Sequence, residues 1–200
     1  EKQRMEKSML TAHSACVGKD NNAIFLLGRA GSGKTSVALK LCLDYGYSLI
    51  SNDRTIIGLN SERKLAAFEG TKFIFLRYES IKRNLPQLLG MFPEIVADSW
   101  LTKTKVFPED IGITKTDSLH RITNSYMVHV DERKSELYVA NGDTPANRLF
   151  LNEIFSMYIR GVYTTFCDKN FNAQGYIPSY DNEIFYKNRC EIINALLENN

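Results

Sequence analysis

Gly28-Arg29-Ala30-Gly31-Ser32-Gly33-Lys34-Thr35 is the stretch on which the reading of this chain turns. It satisfies G-x-x-x-x-G-K-[ST], and each fixed position answers a physical need. The glycines let the backbone curl so that successive N–H groups point inward at phosphate oxygens, and a following helix adds its positive N-terminal end. Lys34 is placed to reach the β- and γ-phosphates, and the Thr35 hydroxyl to coordinate Mg2+. The flanks suit such a loop. Ala23-Ile24-Phe25-Leu26-Leu27 is apolar at every position, the pattern of a strand buried on both faces. Beyond the loop, Val37, Ala38, Leu41 and Cys42 recur at helical spacing over Lys34–Asp44. Gly28 through Thr35, with Ser36 after it, is therefore expected to hold a nucleoside di- or triphosphate.

Working outward, Met9–Val17 is a second apolar-rich run. The polar cluster Gly18-Lys19-Asp20-Asn21-Asn22 joins it to the loop strand as a hairpin. Downstream, Tyr47–Ser51 and Arg54–Leu59 read as two strands, Asn60–Lys64 as a polar turn, and Leu65–Phe68 and Lys72–Arg77 as strand-like. Ile24–Leu27 and Ser48–Ile50 are expected as neighbouring central strands, with the intervening helix crossing over in the right-handed sense. Glu79–Gly90 looks helical with a break at Pro86, and Phe92–Asp117 reads as loops and short strands. Ser125–Val130 is a further strand, followed by a polar turn at Asp131–Lys134. Thr144-Pro145 pairs an N-cap hydroxyl with proline at the first helical position. The helix it starts carries the apolar stripe Ala146, Phe150, Ile154, Met157 and Tyr158 and stops at Gly161. A terminal helix is expected over Asp181–Leu197. The fold class is α/β: a phosphate-loop nucleotide-binding core with a mixed, strand-rich sheet and flanking helices, in a single domain over residues 1–200.

Composition narrows the partners. A chain of 200 residues suits one domain, and 44% hydrophobic with 24% charged residues excludes disorder and collagen-like repeats. Lys plus Arg is 25 against Asp plus Glu at 23. That balance is too even to argue for a nucleic-acid or membrane-surface partner from electrostatics alone, and neither is expected. No apolar run approaches the ~18 residues of a membrane span, and Glu1–Lys7 is too polar for a signal peptide. Cys16, Cys42, Cys167 and Cys190 form no CxxC pair, and His13, His120 and His129 do not complete a zinc set. Free thiols in a reducing, cytoplasmic setting are expected, with His120 and His129 as surface or loop residues. Tyr45, Tyr47, Phe73, Phe75, Tyr126 and Tyr158 are assigned to core packing.

Two further signals surround the loop. His13 lies on the strand upstream, and Ser51-Asn52-Asp53 ends the strand after the helix, where a metal-ligating carboxylate belongs in an α/β sheet. Together, Ala12-His13-Ser14-Ala15-Cys16-Val17, the hairpin, Phe25–Thr35 and Gly46-Tyr47-Ser48-Leu49-Ile50-Ser51-Asn52-Asp53 resemble the HPr kinase and phosphoenolpyruvate carboxykinase superfamily, nearest its small HPr-kinase-like branch. Phe68–Arg77 and Ile122–Val130 add weaker likeness, so the resemblance covers chiefly the first third of the chain. It implies phosphate transfer from ATP, or another phosphate donor, to an acceptor, with Mg2+ at the phosphates. On that pattern Lys34 serves the phosphates, and Thr35 and Asp53 hold the metal. Asn52 stands where the kinases have the carboxylate that deprotonates the acceptor, supported by the upstream His, here His13. An amide is not a base at neutral pH. The departure leaves three options open: slow transfer, Asp53 or His13 as the base, or an acceptor that needs none. The glycine-rich segment where HPr docks is absent, which turns the expectation toward a peptide or small-molecule acceptor.

The leading function is thus a Mg2+-dependent, ATP-binding kinase acting on a hydroxyl of a peptide or small molecule. A nucleotide-binding regulatory module with lost or weak transfer is the second reading. A prenyltransferase of the tRNA or adenine-nucleotide type, which shares the loop and a Ser-x-Asp strand end, is the third. HPr kinases assemble, so the resemblance leaves a homo-oligomer open.

Overall fold

The computed structural model describes residues 1–91, 103–131, 133, 136–159 and 180–198. A short helix α1 (Lys2–Met5) leads into strand β1 (Met9–Lys19), which turns at once into β2 (Asn22–Leu27). Asp20 and Asn21 both take positive φ, 52° and 63°. This is the two-residue turn whose twist matches that of a hairpin, and Asp and Asn tolerate it. β1 pairs antiparallel with β2 from Ala15↔Leu26 to Lys19↔Asn22, as the sequence led us to expect.

The phosphate-loop motif follows, then α2 (Lys34–Tyr45) and β3 (Ser48–Leu59). Ser48–Leu59 is one strand rather than the two expected, because the polar run Ser51–Arg54 continues the ladder instead of breaking it. β3 does not neighbour β2. It pairs antiparallel with the other edge of β1, from Met9↔Gly58 to Gly18↔Ser48, so β1 lies between them. The expected adjacency of Ile24–Leu27 and Ser48–Ile50 is thus corrected: the hairpin claims one side of β1 and leaves the other for β3.

β4 (Leu65–Gly70) pairs with β3, and β5 (Ile74–Leu76) begins a second sheet. Only these three residues of Lys72–Arg77 are strand. α3 (Tyr78–Asn84) gives way to a 3-10 turn at Pro86–Met91. That is the break proline imposes by lacking an N–H and crowding the preceding turn. β6 (Thr104–Val106) pairs with β5, and β7 (His120–Met127) starts earlier than the expected Ser125 and stops at Met127. β7 runs parallel to β2 and antiparallel to β4, closing the ring β1-β2-β7-β4-β3. The result is a mixed α/β protein with a strand-rich mixed sheet and flanking helices.

α4 (Pro145–Ser156) opens on the expected cap, with the Thr144 hydroxyl accepting from the Asn147 N–H at 3.2 Å. Its buried face is Leu151, Phe155 and Ser156 rather than the stripe read from sequence. The expected stop at Gly161 lies outside the described residues. α5 (Glu183–Glu198) completes the chain.

Alternation along the strands splits the core in two. Leu10, Ala12 and Cys16 of β1 join Phe25, Leu27, Ile57 and Ile122 beneath Leu151 and Phe155 of α4 and Phe185 and Ile192 of α5. Ala15 and Val17 face the other way and meet Leu26 and Leu49 beneath Ala38, Leu39 and Cys42 of α2. Burying one such leucine contributes about 1.5–3 kcal/mol. This second layer is what fixes the loop at the start of α2 over the end of the sheet. Several aromatics assigned to the core lie at the surface: Tyr45, Phe75 and Tyr126 are exposed. His120 is the reverse case. It is buried on β7, with Nδ1 2.8 Å from the Ser118 carbonyl, while His129 is exposed. Cys16, Cys42 and Cys190 are free thiols, and Cys167 is not among the described residues. Among the described residues no helix is long and apolar enough to cross a membrane.

Candidate functional site

The loop sits between the end of β2 and the first turn of α2. Gly28 has φ 141°, and a Cβ there would lie 2.5 Å from Ser32 Oγ and 2.6 Å from the Val128 carbonyl. Gly33 caps α2 at φ 97°, where a Cβ would meet Val130 Cγ2 at 2.5 Å. Only glycine fits either position without strain. No side chain caps this helix end, so its first-turn N–H groups are not taken by a local oxygen. Arg29, Ala30 and Gly31 form the exposed crest of the loop, while Thr35 and Ser36 are half-buried at the helix start.

Lys34 is buried rather than solvent-facing. Its ammonium donates to the Gly28 carbonyl at 2.8 Å and to the Arg29 carbonyl at 2.9 Å, folding the side chain back across the loop. Burial draws its pKa down to about 8, with the negative charge of Asp53 opposing the fall. Ser32 Oγ is buried within the same loop and has no hydrogen-bond partner among the described residues. A buried hydroxyl without a partner costs about 1–3 kcal/mol. An anion seated in the loop would supply what it lacks.

Across from the loop, β3 brings up two site residues. Asn52 is buried, and its side-chain oxygen accepts the Thr35 hydroxyl at 2.9 Å. The Thr35 lone pairs are thereby left facing away from Asn52. Asp53 takes φ 69°, a left-handed conformation that costs a non-glycine residue about 1–3 kcal/mol. Strict alternation would put Asp53 on the face of Ser14, its register partner, which is buried. The left-handed backbone swings its carboxylate out instead, to 3.3 Å from His13 Nδ1. The His13 ring beside it, with Arg54 and Lys103 further off, holds the Asp53 carboxyl below the usual carboxylate range against the pull of burial.

Hydroxyls and one lysine support this geometry from behind. Thr55 Oγ1 accepts from Ser14 Oγ at 2.6 Å and lies 2.6 Å from Ser51 Oγ, a buried chain under the Asn52–Asp53 segment. The β1–β3 register slips between Cys16 and Val17, leaving Ile50 bulged. Lys72 Nζ donates to the Ile50 carbonyl at 2.6 Å and to that of Thr116.

The structure therefore brings His13 to Asp53 and Thr35 to Asn52, with Ser32 in the loop between β2 and α2 and Lys34 at the first position of α2. It does not bring Asn52 to His13 as the sequence reading had it. The Thr35–Asn52 bond was not anticipated, and Arg54, whose Nε lies 3.9 Å from Asp53 Oδ2, carried no motif that would have marked it.

Thr35 and Asp53 fit a magnesium site in kind. Mg2+ takes oxygen ligands, commonly one or two from the protein with the rest from phosphates and water. No group of three or more His, Cys, Asp or Glu residues gathers among the described residues, so an all-protein metal cage of that kind is absent there.

No protein-family model matches the chain, and no curated protein does either. Among solved structures, it is similar to the HPr(Ser) kinase/phosphatase from Coxiella burnetii. The match covers 68% of this chain and 67% of that one, at 18% identity and a TM-score of 0.36. The functional reading accordingly rests on the geometry of the site itself.

Proposed function

We propose that this protein is a Mg2+-dependent, ATP-binding phosphotransferase that moves the γ-phosphoryl group to a hydroxyl acceptor. The observation that carries the reading is the loop: a buried lysine, a buried serine hydroxyl with no partner among the described residues and a helix end with no side-chain cap all fall within residues 28–36. Phosphates there would draw Lys34 off the Gly28 and Arg29 carbonyls and give Ser32 its missing partner. Thr35 and Asp53 would hold the magnesium, which neutralises charge as it builds on the transferring group. Asn52 keeps the Thr35 hydroxyl turned so that its lone pairs serve the metal.

His13 is the base in this reading. With Nδ1–H directed at Asp53, the imidazole keeps Nε2 free to take the acceptor proton, and Asp53 stabilises the imidazolium that forms. That division of labour explains how the site does without a carboxylate at position 52.

The test is a melting curve with and without Mg·ATP, followed by assay for ADP release. A ligand at ~100 times its Kd adds about 2.7 kcal/mol to stability, and Lys34→Ala should lose most of that shift. An unchanged wild-type melting curve over a wide range of nucleotide concentration sinks the proposal. Binding with no turnover under any acceptor would instead favour a nucleotide-sensing module.

A further inference from the structure

A pocket of about 560 Å3 opens at Arg54, next along β3 from Asp53; neither the His13–Asp53 pair nor any of residues 28–36 lines it. The strand register explains its position. His13 faces Arg54 and Thr11 faces Ile56 across β1 and β3, while Ile56 faces Glu69 across β3 and β4. Residues at alternate positions share a face, so Thr11, Arg54, Ile56 and Glu69 make a floor that begins where His13 ends. Tyr158 and Phe73 add aromatic walls. The volume is that of a metabolite-sized ligand.

Most charges around this space are already matched. Arg4 bonds to Glu1 and Thr11, and Lys72 to two carbonyls and Asp117. Two remain. The Arg54 side chain is 60% exposed, lies 5.6 Å over the Tyr158 ring, and among the described residues has only the 3.9 Å approach to Asp53 as an ion pair. Glu69 is exposed and makes no side-chain hydrogen bond or ion pair with the described residues. They are diagonal neighbours on one face, a spacing of about 7–8 Å in an antiparallel pair. One small molecule can touch both.

We propose that this pocket is the acceptor site, and that the acceptor is a small hydroxyl-bearing zwitterion of the amino-acid type. Its carboxylate meets Arg54 and its ammonium meets Glu69. The inference rests on the phosphotransferase reading above. In the step it implies, the acceptor oxygen bonds to the γ-phosphorus of ATP while the bond from that phosphorus to the β–γ bridging oxygen breaks. ADP leaves with the electron pair, and the hydroxyl proton passes to His13 Nε2.

Four acceptors that differ only in charge test this: L-serine carries both groups, glycerate the carboxylate, ethanolamine the ammonium and ethylene glycol neither. With Mg·ATP, L-serine or its longer homologue L-homoserine should give at least a tenfold higher kcat/KM for ADP release than the other three. Arg54→Gln should lower the serine value to that of ethanolamine, and Glu69→Gln to that of glycerate. Both are exposed positions, and both variants should keep the wild-type melting temperature; Glu69→Gln should also keep the Kd for Mg·ATP. Equal rates with glycerate and L-serine, or acceleration only by a blocked serine peptide, overturn the assignment. So does ATP binding without acceleration by L-serine, L-homoserine or L-threonine. Failure of ATP to bind at all defeats the phosphotransferase reading instead.

Discussion

Nucleotide affinity should depend on pH through Lys34. Burial in the folded loop draws this lysine down to about 8, from an ordinary 10.5, and a bound phosphate requires the ammonium form. The protonated fraction of the free protein falls from about nine tenths at pH 7 to about one tenth at pH 9. Apparent affinity scales with the competent fraction, so Mg·ATP should bind about tenfold more weakly at pH 9 than at pH 7. A phosphate's second ionisation, near pH 6, is complete across that range. Calorimetric titration in buffers of different ionisation enthalpy should register uptake of about half a proton at pH 8 and nearly one at pH 9. Lys34→Ala should bind weakly and without this slope. Stability moves the opposite way in the free protein. Between about pH 8 and 10.5 the unfolded chain holds a proton that the folded one has released, so unfolding free energy rises with pH across that window, and Lys34→Met should lack the rise. A wild-type Kd that stays flat from pH 7 to 9 refutes the argument, because Lys34 would then be charged throughout or play no part in binding.

Asn52→Ala removes the acceptor for the Thr35 hydroxyl and should weaken Mg·ATP binding roughly 3- to 10-fold, the worth of one net hydrogen bond. Asn52→Asp keeps an acceptor and should cost less in the same titration. His13→Gln should lower ADP release about 10²–10⁴-fold with nucleotide Kd unchanged; an equal loss in both would mean that His13 shapes the nucleotide site rather than taking the proton. Leu39→Ala empties a fully buried position between α2 and the sheet and should destabilise by about 2–5 kcal/mol in urea unfolding, with the loss seen whether or not nucleotide is bound.

What the sequence displayed were the features decided by near neighbours. Asp20-Asn21 dictates its turn, Thr144-Pro145 its helix start, Pro86 its break, and Gly28–Thr35 its loop, because each is settled within a few residues of chain. Partner choice between strands is not settled that way. Nothing in the periodicity of His120–Met127 says that it inserts parallel to β2 and meets β4 on its other side. Ser51-Asn52-Asp53-Arg54 looked like the end of a strand because four polar residues in a row seldom sit in a core. The ladder runs through them since Ser51 and Thr55 satisfy each other beneath the surface and Asp53 escapes it by its left-handed turn. The burial of Lys34 was invisible for a related reason: the carbonyls that receive it become acceptors only once the loop has folded. The pairing of Asn52 with Thr35 rather than with His13 likewise depends on which way β3 rolls against α2.

The ring of five strands is closed by a narrow clasp. β4 and β7 meet through only two residue pairs, Ala66↔Arg121 and Ala67↔His120, whereas β1 and β3 share ten. While the clasp holds, each of the five strands has a paired neighbour on both sides. Once it parts, two edges appear together, and bare edges are templates for pairing between chains. The amides at this seam should therefore exchange well before those of β1. Shelf life in concentrated solution would then be governed by how often a two-residue seam opens, a quantity that a melting temperature does not measure.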